Sequence, residues 1–194
     1  MIRSFIEATQ ASLERLDPHA IEAMVAELVA VRARGGRLFL LGVGGSAANC
    51  SHAASDFRTL CDIEAYACDN VANITALTND EGCDAVFGLW LDASYFSADD
   101  LLYVMSVGGG SVSLSRGLAD AREWTTREVG APIIGVAGRD GGVLAQLAMA
   151  CVVVSVDDPA LVTPIVESVQ AVIWHLLVSH PRLKVRPTAW EIKR

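Results

Sequence analysis

His52 and Asp56 stand four residues apart in the helical stretch that follows a glycine-rich turn. On a helix that spacing projects both side chains from one face, one turn apart. It suits a shared metal or a proton relay, and an ordinary hydrogen-bonded pair is the plainer alternative. Glu167 and His175, eight apart in the last long helical run, are out of alignment by about 80° over two turns, so both can face the same side. They sit among Val, Ile, Ala and Trp, where an ionisable group must find a partner or shift its pKa. Either the two helices meet and the four groups form one site, or each finds a separate structural partner. His52, Asp56, Glu167 and His175 together offer imidazole and carboxylate donors without thiolate, an acceptable ligand set for zinc or a similar divalent ion.

Two further stretches point to an anion. Gly42-Val43-Gly44-Gly45-Ser46 follows the apolar run Leu38 to Leu41 and precedes Ala47-Ala48-Asn49, which reads as strand, glycine turn and helix start. Glycines let backbone approach a ligand closely, while unpaired N–H groups and the helix dipole favour phosphate. The turn is neither the dinucleotide G-x-G-x-x-G nor a P-loop, which argues against a dinucleotide-dependent enzyme. A second strand-like run, Leu101 to Met105, leads into Ser106-Val107-Gly108-Gly109-Gly110-Ser111 and then a helical run from Leu114 to Glu128. Serine and glycine thus stand at two strand ends.

The elements that must position these residues follow from periodicity. Ile6, Leu13 and Leu16 mark a first helix, Asp17-Pro18 a break, and Ile21, Met24, Val25, Leu28 and Val31 a second helix closed by Gly35-Gly36. Strand-like runs at 37–42, about 63–67, 101–106, 132–137 and 151–156 alternate with helical runs. That is the pattern of a parallel sheet covered on both faces. The expected fold is α/β, a three-layer sandwich around a five-stranded parallel sheet. Residues 1–34 form an N-terminal helical extension and about 37–180 the core of a single domain, 1–194. A final buried helix begins near Thr163-Pro164 and ends at the break before Pro181.

With 52% hydrophobic and 20% charged residues among 194, the chain buries a substantial core and is expected to associate into an oligomer. A net charge of −8 argues against general binding to nucleic acid or anionic membranes. The basic residues Arg182, Lys184, Arg186, Lys193 and Arg194 read as a solvated tail. No apolar stretch approaches a membrane span and Met1 to Glu7 lacks the apolar core of a signal peptide, so a cytoplasmic location is expected. Five cysteines, odd in number and without a C-x-x-C pair, suggest buried hydrophobes or incidental surface thiols rather than disulfides or a thiolate zinc site.

The motifs together resemble the sugar isomerase (SIS) domain family and, within it, the phosphoheptose isomerases. The resemblance covers nearly the whole chain. It is carried by Gly42 to Ala48, His52-Ala53-Ala54-Ser55-Asp56, Thr78-Asn79-Asp80-Glu81-Gly82, Ser106 to Ser111, Gly138-Arg139-Asp140-Gly141-Gly142 and Glu167 to His175. It implies a phosphosugar site in which Ser106 and Ser111 hold the phosphate, helped by Ser46 and the backbone of Gly44 and Gly45, with the sugar toward Asn79 and Asp80. It also implies zinc on His52, Asp56, Glu167 and His175, Glu167 contacting substrate as well. The chain departs from the family pattern at Val43, where Asn is usual, and at Val107 and Gly108, which replace two hydroxyl residues of the serine loop. Asp56 stands for Glu and Glu167 for Gln.

An aldose–ketose isomerisation needs a base beside the carbonyl, stabilisation of the enediolate and an acid at the oxygen. The expected base is Asp56 and the acid/base partner His175, with a metal polarising the carbonyl. In the family the site lies between subunits, which implies a homotetramer, or failing that a homodimer. A non-catalytic phosphosugar-binding or regulatory protein is the alternative.

Overall fold

The computed structural model describes residues 1–125 and 132–192; Glu128, expected in a helix, lies outside them, as do Lys193 and Arg194. Two helices, α1 (Ile2–Glu14) and α2 (Pro18–Ala33), precede strand β1 (Leu38–Gly42), helix α3 (Gly45–Cys61) and the short strand β2 (Ala65–Ala67). Helices α4 (Val71–Glu81) and α5 (Val86–Ala93) lead to β3 (Leu101–Ser106) and α6 (Val112–Thr125). The chain continues through β4 (Ile133–Gly138), α7 (Gly142–Leu147), β5 (Ala150–Val154), the long helix α8 (Val162–Ser179) and the short α9 (Ala189–Ile192).

All five strands are parallel, in the order β2-β1-β3-β4-β5. The sheet winds outward in both directions from between β1 and β3, where Gly42 pairs in register with Met105. In such sheets ligands bind outside the carboxyl ends of the strands at this switch point. The glycine turn after β1 and the serine loop after β3 are therefore brought side by side by topology.

Alternate residues of the buried strands face opposite layers. Leu38 and Leu40 point to a core formed with Met24, Leu28, Phe57, Ile165 and Trp174 of α2, α3 and α8. Phe39 and Leu41 point to the other, with Phe87, Leu91, Leu118 and Leu144 of α5, α6 and α7. Helix α2 is thus a full member of one helix layer. It starts at Pro18 behind Asp17, whose side chain accepts the His19 N–H at 2.8 Å. Helix α1 is tied on by the buried Ser12, whose hydroxyl lies 2.8 Å from the Ser155 carbonyl.

Two sequence expectations need correction. The segment Pro159–Ser179, 21 residues with a mean hydropathy of 1.6, is long and apolar enough to cross a membrane, contrary to the expectation that no stretch approaches that length. Half of its length is buried inside the protein, because its apolar side chains cover the sheet. The basic C-terminal residues are not a free tail either: Arg182 pairs with Glu22, Lys184 with Glu191 and Arg186 with Asp62. Leu183, fully buried between them, holds this segment against the core.

Candidate functional site

Helices α3 and α8 pack side by side and bring His52, Asp56 and His175 together, with one donor atom from each within 4.8 Å of the others. Asp56 Oδ2 lies 3.7 Å from Nε2 of both histidines and accepts the Trp174 indole N–H at 3.1 Å. His175 Nδ1 stands 2.8 Å from the Ala171 carbonyl oxygen. A carbonyl only accepts, so Nδ1 carries a hydrogen, and Nε2 is the ring atom that faces Asp56. The His52 and His175 rings meet edge to face, 5.6 Å between centroids.

A separation of 3.7 Å is too long for a hydrogen bond. It is close to the ~3.3 Å edge that a tetrahedral ion about 2.0 Å from each donor imposes. The donor chemistry fits zinc or a similar divalent ion: two imidazoles and one carboxylate, oriented by Trp174 and Ala171 in the manner of outer-shell partners. The histidine side chains are 60% and 53% exposed, so the group opens to the surface, and an ion held there would be within reach of a small molecule.

Glu167 is not brought into this cluster. Its carboxylate lies over the backbone of Gly45 at the start of α3, where a Cβ would overlap it, about two turns from His175 along α8. The cluster is therefore a triad, with the fourth expected ligand at the other end of the helix pair. Asn49 joins the two helices there, donating to the Glu167 carbonyl at 2.9 Å and to Gln170 Oε1 at 3.1 Å.

The anion-binding candidates divide in the same way. An open cleft of about 430 Å³ is lined by Val43, Ser106, Gly108, Ser111, Arg139 and Thr163 among others. Ser106 Oγ accepts the Gly109 N–H at 2.9 Å and Ser111 Oγ the Leu114 N–H at 3.3 Å, the latter capping α6. Gly44 caps α3. Ser46 is buried, with its hydroxyl unpaired, and is not among the residues lining the cleft. Asn79 and Asp80 are exposed on the last turn of α4, hydrogen-bonded to each other, and do not line the cleft either. Their place on that turn follows from Asn70, which caps α4 and fixes its phase.

Sequence reasoning gave no role to Arg139, Thr163 or Trp174. The first stood in the conspicuous Gly138-Arg139-Asp140-Gly141-Gly142 stretch and the last directly precedes His175, but neither neighbour tells which groups share a cleft.

The SIS domain family model matches residues 4–138. A phosphoheptose isomerase of Pelobacter propionicus is 34% identical over 151 residues, 74% of this chain and 77% of that protein. Another, of Solidesulfovibrio magneticus, is 30% identical over 187 residues, 91% and 86% of the two chains. The structure of a phosphoheptose isomerase of Neisseria gonorrhoeae has the same fold, with a TM-score of 0.77 at 24% identity, covering 91% of this chain and 93% of that one. By its strand order, the glycine turn and serine loop at the switch point and these matches, the chain belongs to the SIS domain family and takes its place beside the phosphoheptose isomerases.

Proposed function

We propose that this phosphosugar isomerase interconverts sedoheptulose 7-phosphate and D-glycero-D-manno-heptose 7-phosphate through an enediol. The observation that carries the reading is the open triad of His52, Asp56 and His175. It lies about two helical turns along α3 from the loops at the switch point, a separation of about 10 Å by helix rise. A phosphorylated sugar has its charge at one end and its carbonyl at the other.

Asp56 Oδ2 is held by Trp174, while Oδ1 bonds to no group among the described residues. Oδ1 is the atom that takes the proton from the carbon beside the carbonyl, and His175 moves the proton at the neighbouring oxygen. His52 Nε2, Asp56 Oδ2 and His175 Nε2 would hold zinc. Bound there, the ion supplies a Lewis acid for the carbonyl and its developing negative charge. Since Nδ1 faces the Ala171 carbonyl, Nε2 is the atom with which His175 would either hold the ion or carry the proton, and its acid/base role requires that Nε2 be free of the ion.

The assembly that fits is a cytoplasmic homotetramer. Val172 and Leu176 on α8, beside His175, and Ile2 and Ile6 on α1 are large apolar side chains at 40% exposure or more. Their burial against further copies would enclose the triad.

A second reading, a phosphosugar-binding protein without turnover, is favoured by Val43, half exposed in the cleft where a polar group would meet a sugar. Purified, metal-analysed protein incubated with sedoheptulose 7-phosphate, with and without chelator, separates the two. Chelator-sensitive appearance of the aldose supports the isomerase; no conversion by a folded, metal-loaded oligomer that still binds the sugar phosphate establishes the binding protein instead.

A further inference from the structure

We infer that Arg139 is the cation that receives the phosphate of the substrate, taking over in this chain the work of the hydroxyls that the serine loop lacks. The assignment rests on the phosphosugar reading of the cleft and adds to it a residue, a charge and a geometry.

Arg139 lines the cleft together with Ser106, Ser111 and Thr163. It is exposed and makes no hydrogen bond or ion pair among the described residues, whereas Arg15, Arg37, Arg116, Arg182 and Arg186 are each paired with a carboxylate. No acidic side chain lines the cleft among those residues. In a protein of net charge −8 this is a local positive site, and the polar side chains that share the lining, Ser106, Ser111 and Thr163, each carry a hydroxyl. Ser106, nine-tenths buried, and Ser111 each already accept a backbone N–H, so each hydroxyl hydrogen is left to donate to an anion.

The backbone around Arg139 is built for this placement. It adopts φ +55°, a left-handed conformation disfavoured by a Cβ and found where the surroundings impose it. The turn it opens interlocks with the serine loop: a Cβ on Gly109 would strike the Gly141 carbonyl, and the Leu144 N–H donates to the Gly109 carbonyl at 2.9 Å. Loop and turn are thus fixed as one unit, and Arg139, Ser106 and Ser111 line the same cleft. A guanidinium can meet a phosphate with two parallel N–H donors, which an ammonium cannot reproduce.

Calorimetric titration of the full chain with inorganic phosphate at low salt tests the assignment, alongside isomerisation of sedoheptulose 7-phosphate. Arg139→Met should weaken phosphate binding roughly 10- to 100-fold and raise KM for the sugar phosphate in the same ratio, with kcat within a few-fold of wild type. Arg139→Lys should recover part of the loss. The thermal midpoint of the Met variant should not move, since the side chain bonds to nothing described. Phosphate affinity in Arg139→Met within twofold of wild type, or a wild type that binds no phosphate, overturns the assignment. Unchanged binding in an active isomerase removes Arg139 and leaves the reaction; lost binding in a chain that never isomerises the sugar leaves Arg139 and removes the reaction.

Discussion

The Glu167 carboxylate rests on the backbone of Gly45, so closely that any side chain at position 45 would overlap it. An acid at a helix N-terminus is favourably placed, because unpaired N–H groups and the dipole there are positive. In this position Glu167 lies outside the His52, Asp56 and His175 triad. Glu167→Gln should therefore leave zinc stoichiometry and affinity close to wild type. His52→Ala or His175→Ala should lower affinity at least tenfold by removing a donor. Metal content measured after dialysis at controlled free zinc checks this; a Gln variant that loses zinc as His175→Ala does would return Glu167 to the ligand set.

Asp56→Asn keeps the shape of the side chain and one oxygen for Trp174 Nε1, but removes the basic carboxylate. We expect kcat to fall by roughly 10²- to 10⁴-fold while the protein remains folded, since Asp56 is only partly buried. Circular dichroism and steady-state kinetics on the same preparation decide the matter. Turnover like that of wild type would rule Asp56 out as the base.

Asp100 offers a test of stability remote from the site. Its carboxylate accepts from Arg37 Nη2 at 2.7 Å, Arg37 Nε and N–H at 3.0 Å each, and the Ser97 N–H at 2.9 Å. Burial alone would raise its pKa, but these bonds and the guanidinium outweigh it and hold the carboxyl below its usual value. A carboxyl lowered in the folded state contributes stability above its unfolded pKa of about 3.9. That contribution disappears as pH falls through the lower, folded value. Asp100→Asn should cost about 2–4 kcal/mol at pH 7, and the gap to wild type should close below about pH 4. Denaturant unfolding across pH measures it, and a gap that widens on acidification would contradict the assignment. Arg37 and Asp100 precede β1 and β3, at the end of the sheet opposite the ligand loops, so activity per folded molecule should not change.

What the sequence determined by itself is what depends on local pattern. The apolar runs at Leu38–Leu41 and Leu101–Met105 are buried on both faces, and continuous apolarity of that length reads directly as a parallel strand. The pairing of His52 with Asp56 was legible because one helical turn fixes it. The join of that pair to His175 needed only that α3 and α8 be neighbours, which the resemblance supplied.

Tertiary structure alone decided the rest. Helical angle allowed Glu167 and His175 to share a side, but not which of them would face Asp56. That depends on where α8 crosses α3, and the crossing sets Glu167 on Gly45. Asn79 and Asp80 belonged to a recognisable stretch, yet their distance from the cleft follows from the packing of an exposed helix that no periodicity specifies. Arg139 carried no signal of its own: a lone arginine after a strand is ordinary in sequence. Its meaning comes from a turn that locks against the serine loop and from the absence of any described partner for its charge. Contacts between residues distant in the chain are set by the summed packing of whole layers, and a linear pattern records only the part of that sum that repeats along one element.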